Sequence, residues 1–418
     1  MKFYVIAASL LLLLAGCGGG SGGSSDPLDL LEDIVDTTEL PNDVNNDDVI
    51  TPPPTGPDAE EVVAGDGAIT GRVFSAIDNL QLPNALVTLS QSNGDVVATT
   101  MTDDLGTYSF SNLPREGAYL LTFELDTYLT EVFNAFSLSN EEGSAALEIP
   151  PVGLLSNDNA GVGSLSGIIN SAVDGTPLEG ITLEFVRGIN NPNGELVATT
   201  MTDENGAYSV QGLPFGNYTC IIFGDGLQTS VVTVFVVGNA DVSNQNATIS
   251  PVVVAGQTRI VLTWGESPSD LDSHFTGPTL DGTQAFRVFF GNTFEDDVQL
   301  DTDDVSSFGP ETITIENSSR PGVFRYSVFN FSNGNDPDSL SSSQARVQVI
   351  REEGVIADFF VPQGQGNLWS VFDMVNGEII PIGTITIRAT TDDHFAPATL
   401  LLNASASTFE AARNRSFK

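Results

Sequence analysis

The chain has 418 residues, with 55 acidic and 14 basic side chains and a net charge of −41. This length suits two to four domains of roughly 100–200 residues each. The 41 glycines and 22 prolines argue against one long helical assembly and favour a series of β modules. The negative charge repels phosphate backbones and so argues against nucleic acid as a partner. Two histidines in the whole chain exclude sites built from several imidazoles.

Residues 1–16 have the composition of a cleavable export signal. A positive start, Met1-Lys2, is followed by an apolar run from Phe3 to Leu14 and then by small residues. The run is shorter than the roughly 20 residues that a membrane-spanning helix needs. We therefore predict a signal peptide that is removed.

The end of this signal, Leu13-Leu14-Ala15-Gly16-Cys17, resembles the lipobox of bacterial lipoproteins. The resemblance implies that lipid on Cys17 anchors the mature chain to a bilayer, with each buried methylene contributing about 0.8 kcal/mol. Gly18, rather than Asp, follows the cysteine, which in that family implies the outer membrane of the cell envelope. A plain secretory signal with an incidental cysteine is the alternative.

Both flanks of the chain lack the pattern of a packed domain. Residues 18–66 contain thirteen Asp or Glu and no Lys or Arg, with a glycine-rich and serine-rich start. Low hydrophobicity with unbalanced charge predicts disorder, and self-repulsion extends such a segment. We expect residues 17–66 to be a disordered acidic tether and residues 389–418 to be a C-terminal tail.

Two stretches repeat one hundred residues apart. The run from Val97 to Asp103 recurs unchanged from Val197, and five later positions also match: Gly106, Tyr108, Ser109, Leu113 and Pro114 recur as Gly206, Tyr208, Ser209, Leu213 and Pro214. Short alternating segments, separated by turn residues near every tenth position, predict a β-sandwich for each repeat. We expect the repeated Asp and Gly to form a tight turn, the Gly with positive φ. The second repeat is longer in residues 187–193, which we expect to be a tolerant loop.

The repeated pattern Thr-Asp-x-x-Gly-x-Tyr, followed by Leu-Pro, resembles the carboxypeptidase regulatory-like domain and the related B-type repeats of collagen-binding surface proteins. Those domains are prealbumin-like β-sandwiches, and the match covers residues 67–155 and 163–255. The resemblance implies non-catalytic accessory or stalk domains. Neither repeat contains a lysine, which excludes an internal isopeptide crosslink. Cys220 aligns with Leu121 and is therefore interpreted as a small buried hydrophobe.

Residues 257–388 form a third and different module. Its segments with period-two patterning predict a larger β-sandwich. Three of its motifs, Leu262-Thr263-Trp264, Asp270-Leu271-Asp272-Ser273-His274 and Trp369-Ser370-Val371-Phe372, resemble a domain of unknown function in exported bacterial proteins, the YfaP-like domain. The resemblance implies a fold and an exported location, and it implies no activity.

Six carboxylates of the third module form a candidate metal set: Asp270, Asp272, Asp301, Asp303, Asp304 and Glu311. An Asp-x-Asp pattern in extended chain puts two carboxylates on one side, and two such pairs could supply the roughly six to eight oxygens that Ca²⁺ requires. Calcium is therefore the candidate cofactor. The segment that begins at Asp301 departs from the EF-hand pattern, since Val305 stands at its fifth position. Acidic surface turns and a paired-carboxylate glycosidase are the alternatives.

Aromatic residues concentrate in the same module and suggest a ligand surface. The segments 286–290 and 324–331 carry aromatic side chains on both faces of the alternation, more than one core face needs. The candidate surface residues are Trp264, Phe289, Tyr326, Phe329 and Trp369. A sandwich that is buried on both faces is the alternative.

These patterns predict a non-enzymatic, lipid-anchored protein of the bacterial cell envelope. Its terminal β-sandwich would bind a protein or polysaccharide ligand, as in adhesion, because a tether and two small modules place the third module at the far end. The alternative is an accessory or stalk subunit of an envelope enzyme or secretion complex. An unrecognised hydrolase is the third possibility.

Overall fold

A computed structural model gives the structure of residues 65–138 and 146–388. The predicted signal peptide, Cys17, nearly all of the predicted tether and the tail 389–418 lie outside these residues. The described part of the chain consists of β-strands and one 3-10 helix at Asn157–Asn159. Within that part, no helix is long and apolar enough to cross a bilayer. The predicted all-β fold is confirmed.

Module one is a sandwich of two sheets. Its strands are β1 (Gly67–Ser75), β2 (Leu86–Gln91), β3 (Val96–Met101), β4 (Thr107–Leu113), β5 (Tyr119–Glu124), β6 (Glu131–Phe136), β7 (Leu147–Glu148) and β8 (Val152–Leu154). One sheet has the order β4-β1-β7, with β8 also paired to β1, and the other has the order β3-β2-β5-β6.

Module two repeats this topology strand for strand. Its strands are β9 (Val162–Ser171), β10 (Thr182–Arg187), β11 (Leu196–Met201), β12 (Ala207–Pro214), β13 (Gly216–Phe223), β14 (Ser230–Val236), β15 (Asp241–Val242) and β16 (Ala247–Ile249). One sheet has the order β12-β9-β15, with β16 paired to β9, and the other has the order β11-β10-β13-β14.

The repeated sequence has the same local role in both modules. Thr102 is buried, donates a hydrogen bond to the carbonyl of Leu82 at 2.6 Å and accepts one from the backbone of Ala85 at 2.9 Å. Thr202 forms the equivalent pair of bonds in module two. The next residue, Asp103 or Asp203, accepts backbone N–H bonds within its turn. The repeated motif therefore closes the turn and fixes it to the segment that precedes β2 or β10.

Module three is larger and has two sheets. Its strands are β17 (Thr258–Thr263), β18 (Leu271–Pro278), β19 (Ala285–Val288), β20 (Phe294–Glu295), β21 (Val298–Thr302), β22 (Glu311–Ile315), β23 (Val323–Asn330), β24 (Arg346–Arg351), β25 (Gly354–Phe360), β26 (Leu368–Val375) and β27 (Glu378–Thr386). The six-stranded sheet has the order β20-β21-β22-β17-β24-β25, and the five-stranded sheet has the order β19-β18-β23-β26-β27. Strands β18, β22 and β23 are buried along nearly their whole length.

The longer loop of module two packs onto module one. Ile189 is 3% exposed and belongs to the apolar core of module one, where it forms a parallel β-bridge with Phe133. Asn217 of module two donates hydrogen bonds at 2.9 Å to the Glu131 carboxylate and to the Gly153 carbonyl. This loop was expected to tolerate substitution. The expectation is corrected at Ile189, because that side chain completes the core of another module.

Modules two and three also share a packed interface. Ala172, Val253, Val261 and Ile350 form an apolar cluster between them. Arg259 of β17 donates to the Ser250 hydroxyl at 2.7 Å and to the Pro251 carbonyl at 2.9 Å. These contacts combine apolar burial with a satisfied cation, so the three modules are linked by more than their connecting peptides.

The glycine of the repeated turn provides a test of its geometry. Gly206 and Gly212 have φ of +69° and +75°, so alanine at either position costs about 1–2 kcal/mol. A Cβ at Gly206 would also lie 2.7 Å from the Ile169 carbonyl oxygen, whereas at Gly212 it would meet nothing within 4 Å. Thermal unfolding should therefore show a larger loss of stability for Gly206→Ala than for Gly212→Ala, by about 1 kcal/mol or more. Equal losses would contradict this account.

The acid at the first interface predicts a pH dependence. Burial raises the pKa of Glu131 above its ordinary value of 4.5, and the hydrogen bond from Asn217 and the charge of Arg187 oppose this only in part. A carboxyl group with a raised folded pKa stabilises the fold at low pH, and this contribution is lost as the pH rises through the folded pKa.

Glu131→Gln keeps an acceptor for Asn217 and does not ionise. Its unfolding temperature should fall less than that of the wild type between about pH 4 and pH 8. Glu124→Gln, which changes an exposed carboxylate, is the matched control. A Glu131→Gln protein with the full wild-type pH dependence would show that this acid is not responsible.

Candidate metal centre

Three carboxylates meet where the two sheets of module three adjoin. Asp270 precedes β18, Asp272 is its second residue, and Glu311 begins β22. Asp272 is 3% exposed and Glu311 is 0% exposed, while Asp270 is half-buried. One carboxylate oxygen from each residue lies within 4.8 Å of the other two. The structure therefore brings together half of the six residues that the sequence suggested.

Strand alternation and one hydrogen bond set these positions. Leu271 and Phe275 of β18 point into the core, so Asp272 and His274 lie on the opposite face of the strand. Glu311 reaches β18 from the facing sheet, where its Oε2 accepts a hydrogen bond from the Ser273 backbone N–H at 2.5 Å. The acids are thus held by regular strands of both sheets rather than by a loop alone.

Several oxygens of this group have no hydrogen-bond donor among the described residues. They are Asp270 Oδ1, Asp272 Oδ2 and Glu311 Oε1, and all three atoms are buried. Burying a carboxylate oxygen without a partner costs free energy comparable to a lost hydrogen bond, and more when it is charged. The group therefore lacks the internal compensation that buried polar side chains normally have.

The carboxyl groups are consequently difficult to ionise. Burial, followed by the neighbouring acids Asp270 and Asp303, raises the pKa of Asp272 to about 8. Burial with Asp303 and Asp304 nearby raises the pKa of Asp270 to about 6. The pKa of Glu311 lies well above its ordinary value, again mainly because of burial. Desolvation and mutual repulsion act in the same direction.

The remaining three candidates occupy different positions. Asp303 is exposed and approaches Glu311 closely enough to raise its pKa. Asp304 accepts hydrogen bonds at 2.7 Å from the backbone and hydroxyl of Ser306. Asp301 instead accepts from the Thr314 hydroxyl at 2.5 Å and faces Arg259.

A β-bulge explains why Asp301 is separated from the group. The register between β21 and β22 shifts between Leu300 and Thr302, which leaves Asp301 as the extra residue. A bulge redirects the side chains around it. The expectation that Asp301 and Asp303 lie on one side of the chain is therefore corrected.

The geometry argues against a paired-carboxylate glycosidase. The two carboxyl groups of such an enzyme stand on either side of the scissile bond, where the substrate must reach both of them. Asp272 and Glu311 are both buried, so a sugar cannot reach them. His274 is fully buried and stacks on Phe289, with ring centroids 5.5 Å apart.

The expected aromatic surface is corrected. Trp264, Tyr326, Phe329 and Trp369 are at most 8% exposed, and all but Phe329 belong to the main core cluster. Phe289 is half-buried between His274 and Arg287. The module is buried on both faces of its central strands, as the alternative interpretation held, so these five side chains do not form an open surface.

Two other aromatic residues in the same segments are exposed. Phe290 is 42% exposed and Phe331 is 52% exposed, and their ring centroids lie 5.8 Å apart. The sequence identified both segments, but it could not show which aromatic residue of each reaches the solvent. Cys220 is 0% exposed, and burial raises the pKa of its thiol to about 12, which agrees with the interpretation as a buried hydrophobe.

Comparison with known proteins identifies the repeated modules. Residues 68–149 and 164–250 match the carboxypeptidase regulatory-like domain. Both repeats are therefore domains of this kind, as the sequence predicted.

Curated relatives share only part of the chain. Serine-aspartate repeat-containing protein F of Staphylococcus epidermidis is 30% identical over 149 residues, which are 33% of this chain and 9% of that protein. Colossin-A of Dictyostelium discoideum is 31% identical over 155 residues, which are 35% of this chain and 1% of that protein. The chain thus spans less than a tenth of the length of either relative.

Solved structures show a weak similarity. The Bacillus anthracis TIE protein matches at 21% identity and a TM-score of 0.20, over 44% of this chain and 34% of that one. The minor pilin of Streptococcus agalactiae matches at 17% identity and a TM-score of 0.19, over 45% of this chain and 97% of that one. Similarities of this size specify no function.

Proposed function

We propose that this chain is a non-enzymatic protein of the bacterial cell envelope, anchored by lipid on Cys17. Modules one and two support module three, a YfaP-like domain, which binds a polysaccharide or protein ligand. The two carboxypeptidase regulatory-like domains support this proposal, as does the similarity to serine-aspartate repeat-containing proteins. The outer membrane is the proposed location.

The packing between the modules is the observation that carries the proposal. Ile189 completes the core of module one, and Val261 and Ile350 of module three pack against Ala172 and Val253 of module two. Buried apolar contacts of this kind oppose independent motion of neighbouring domains. These contacts support the proposal because they hold module three in a fixed orientation on the modules before it.

The exposed pair Phe290 and Phe331 is the proposed contact surface. Phe294, which is 58% exposed, lies on β20 in the same module. Exposed aromatic rings supply a large apolar area with few rotatable bonds, and their flat faces suit both sugar rings and apolar side chains of a protein. The long tether predicted for residues 17–66 would give this surface reach from the membrane.

The anchor can be tested by one substitution. Cys17→Ser removes the acylated sulfur, so the protein should move from the membrane fraction to the soluble fraction. Cys220→Ser, which removes the other cysteine of the chain, should remain in the membrane fraction. Fractionation followed by immunoblotting measures both. Membrane attachment of Cys17→Ser would refute the lipid anchor.

The binding surface can be tested by a double substitution in the full chain. Phe290→Ser with Phe331→Ser should reduce binding to arrayed envelope polysaccharides and surface proteins at least tenfold, because it removes both exposed rings. Leu196→Ser with Met201→Ser is the matched control, since these β11 side chains are 52% and 60% exposed. An equal loss of binding in both variants would refute module three as the binding module. Turnover of any arrayed substrate by the wild type would refute the non-enzymatic assignment.

A further inference from the structure

We propose that Asp270, Asp272 and Glu311 bind one Ca²⁺ ion, with Asp303 contributing from the solvent side. The ion would connect the two sheets of module three where β18 and β22 begin. This inference is independent of the proposed function, because it depends only on the carboxylate group and its surroundings.

The unpartnered oxygens are the first argument. Asp272 and Glu311 are more than nine-tenths buried, and each has one buried oxygen without a hydrogen-bond donor among the described residues, although Glu311 can share a proton with the carboxylate of Asp303. Arginines of module three that form ion pairs do so with other acids, as Arg325 does with Asp373 and Arg346 with Asp358. A bound cation would supply the compensation that these buried oxygens otherwise lack.

The spacing of the oxygens is the second argument. Two oxygens that bind the same Ca²⁺ at about 2.4 Å can be at most about 4.8 Å apart, which is the case when they stand on opposite sides of the ion. The three carboxylate oxygens lie within 4.8 Å of one another. Each pair therefore meets the distance limit that a shared Ca²⁺ sets.

The donor set favours calcium over other metals. All of the donors are carboxylate oxygens, which suit hard cations, whereas zinc and copper sites draw on imidazole or thiolate ligands. Three carboxylates that bind through one or two oxygens each, together with Asp303 and water, can reach the roughly six to eight ligands of Ca²⁺. Mg²⁺ requires a near-ideal octahedron at about 2.1 Å and usually keeps several of its waters, so it suits a cage of protein carboxylates less well than Ca²⁺ does.

Thermal unfolding of the full chain tests the site. Millimolar Ca²⁺ should raise the unfolding temperature of module three by about 5 °C relative to chelator, because the ion binds the folded state alone. Mg²⁺ at the same concentration should raise it less. An unchanged temperature in Ca²⁺ would refute the site, and an equal or larger rise in Mg²⁺ would refute the assignment to calcium.

Glu311→Gln locates the ion. The glutamine keeps an acceptor for the Ser273 N–H, so the variant should fold in chelator, but it should lose the calcium-dependent rise. Glu352→Gln makes the same chemical change at an exposed position and should keep the rise. Asp301→Asn should also keep it, because that side chain faces Arg259. A rise that survives in Glu311→Gln would show that calcium acts through the acidic surface alone.

Calorimetry provides a measurement that does not depend on unfolding. Titration of Ca²⁺ into the chelator-treated wild type at physiological salt should give one site per chain. Asp272→Asn should weaken the affinity at least tenfold, and it serves as the second variant if Glu311→Gln fails to fold. A wild-type titration without a saturable site, or an Asp272→Asn affinity equal to that of the wild type, would overturn the proposal.

Discussion

The hydrogen bond from the Ser273 backbone N–H to Glu311 Oε2 joins the two sheets of module three where β18 and β22 begin. It fixes the position of the fully buried Glu311 carboxylate. The donor belongs to β18, and the residue before it on that strand is Asp272. Because both partners belong to regular strands, the sheet pairing determines where the acids lie. The concentration of negative charge at the start of β18 and β22 is thus a property of the fold, and any compensating group must enter the space between these two strands.

The repeated modules could be predicted from sequence because their motif acts locally. Asp103 accepts backbone hydrogen bonds within its own turn, Gly106 has positive φ in that turn, and Thr102 bonds the segment before β2 of the same module. The same contacts recur at Thr202, Asp203 and Gly206. Residues with such local roles leave a recognisable spacing, and this spacing also allowed the family of both modules to be identified.

The third module and the interfaces depended on contacts that sequence patterns do not reveal. Alternation alone could not show that a bulge would turn Asp301 towards Arg259. Aromatic richness could not distinguish Tyr326, which is fully buried, from Phe331, which is half exposed. Ile189 looked like part of an ordinary surface loop, because the core that it completes belongs to the preceding module. In each case the deciding neighbour is distant in sequence.

The same end of each regulatory-like module faces the next module. The backbone N–H of Leu129 donates to Leu155 in module one, and that of Gln228 donates to Ser250 at the equivalent place in module two. Near the hydrogen bond of module one lie Glu131 and Gly153, which accept hydrogen bonds from module two. In module two, the Ser250 hydroxyl accepts a hydrogen bond from Arg259 of module three. Successive domains therefore meet through unlike surfaces, so the series has a direction. Such an arrangement can gain or lose a copy of the repeat while its final domain still packs on the same end of the module before it.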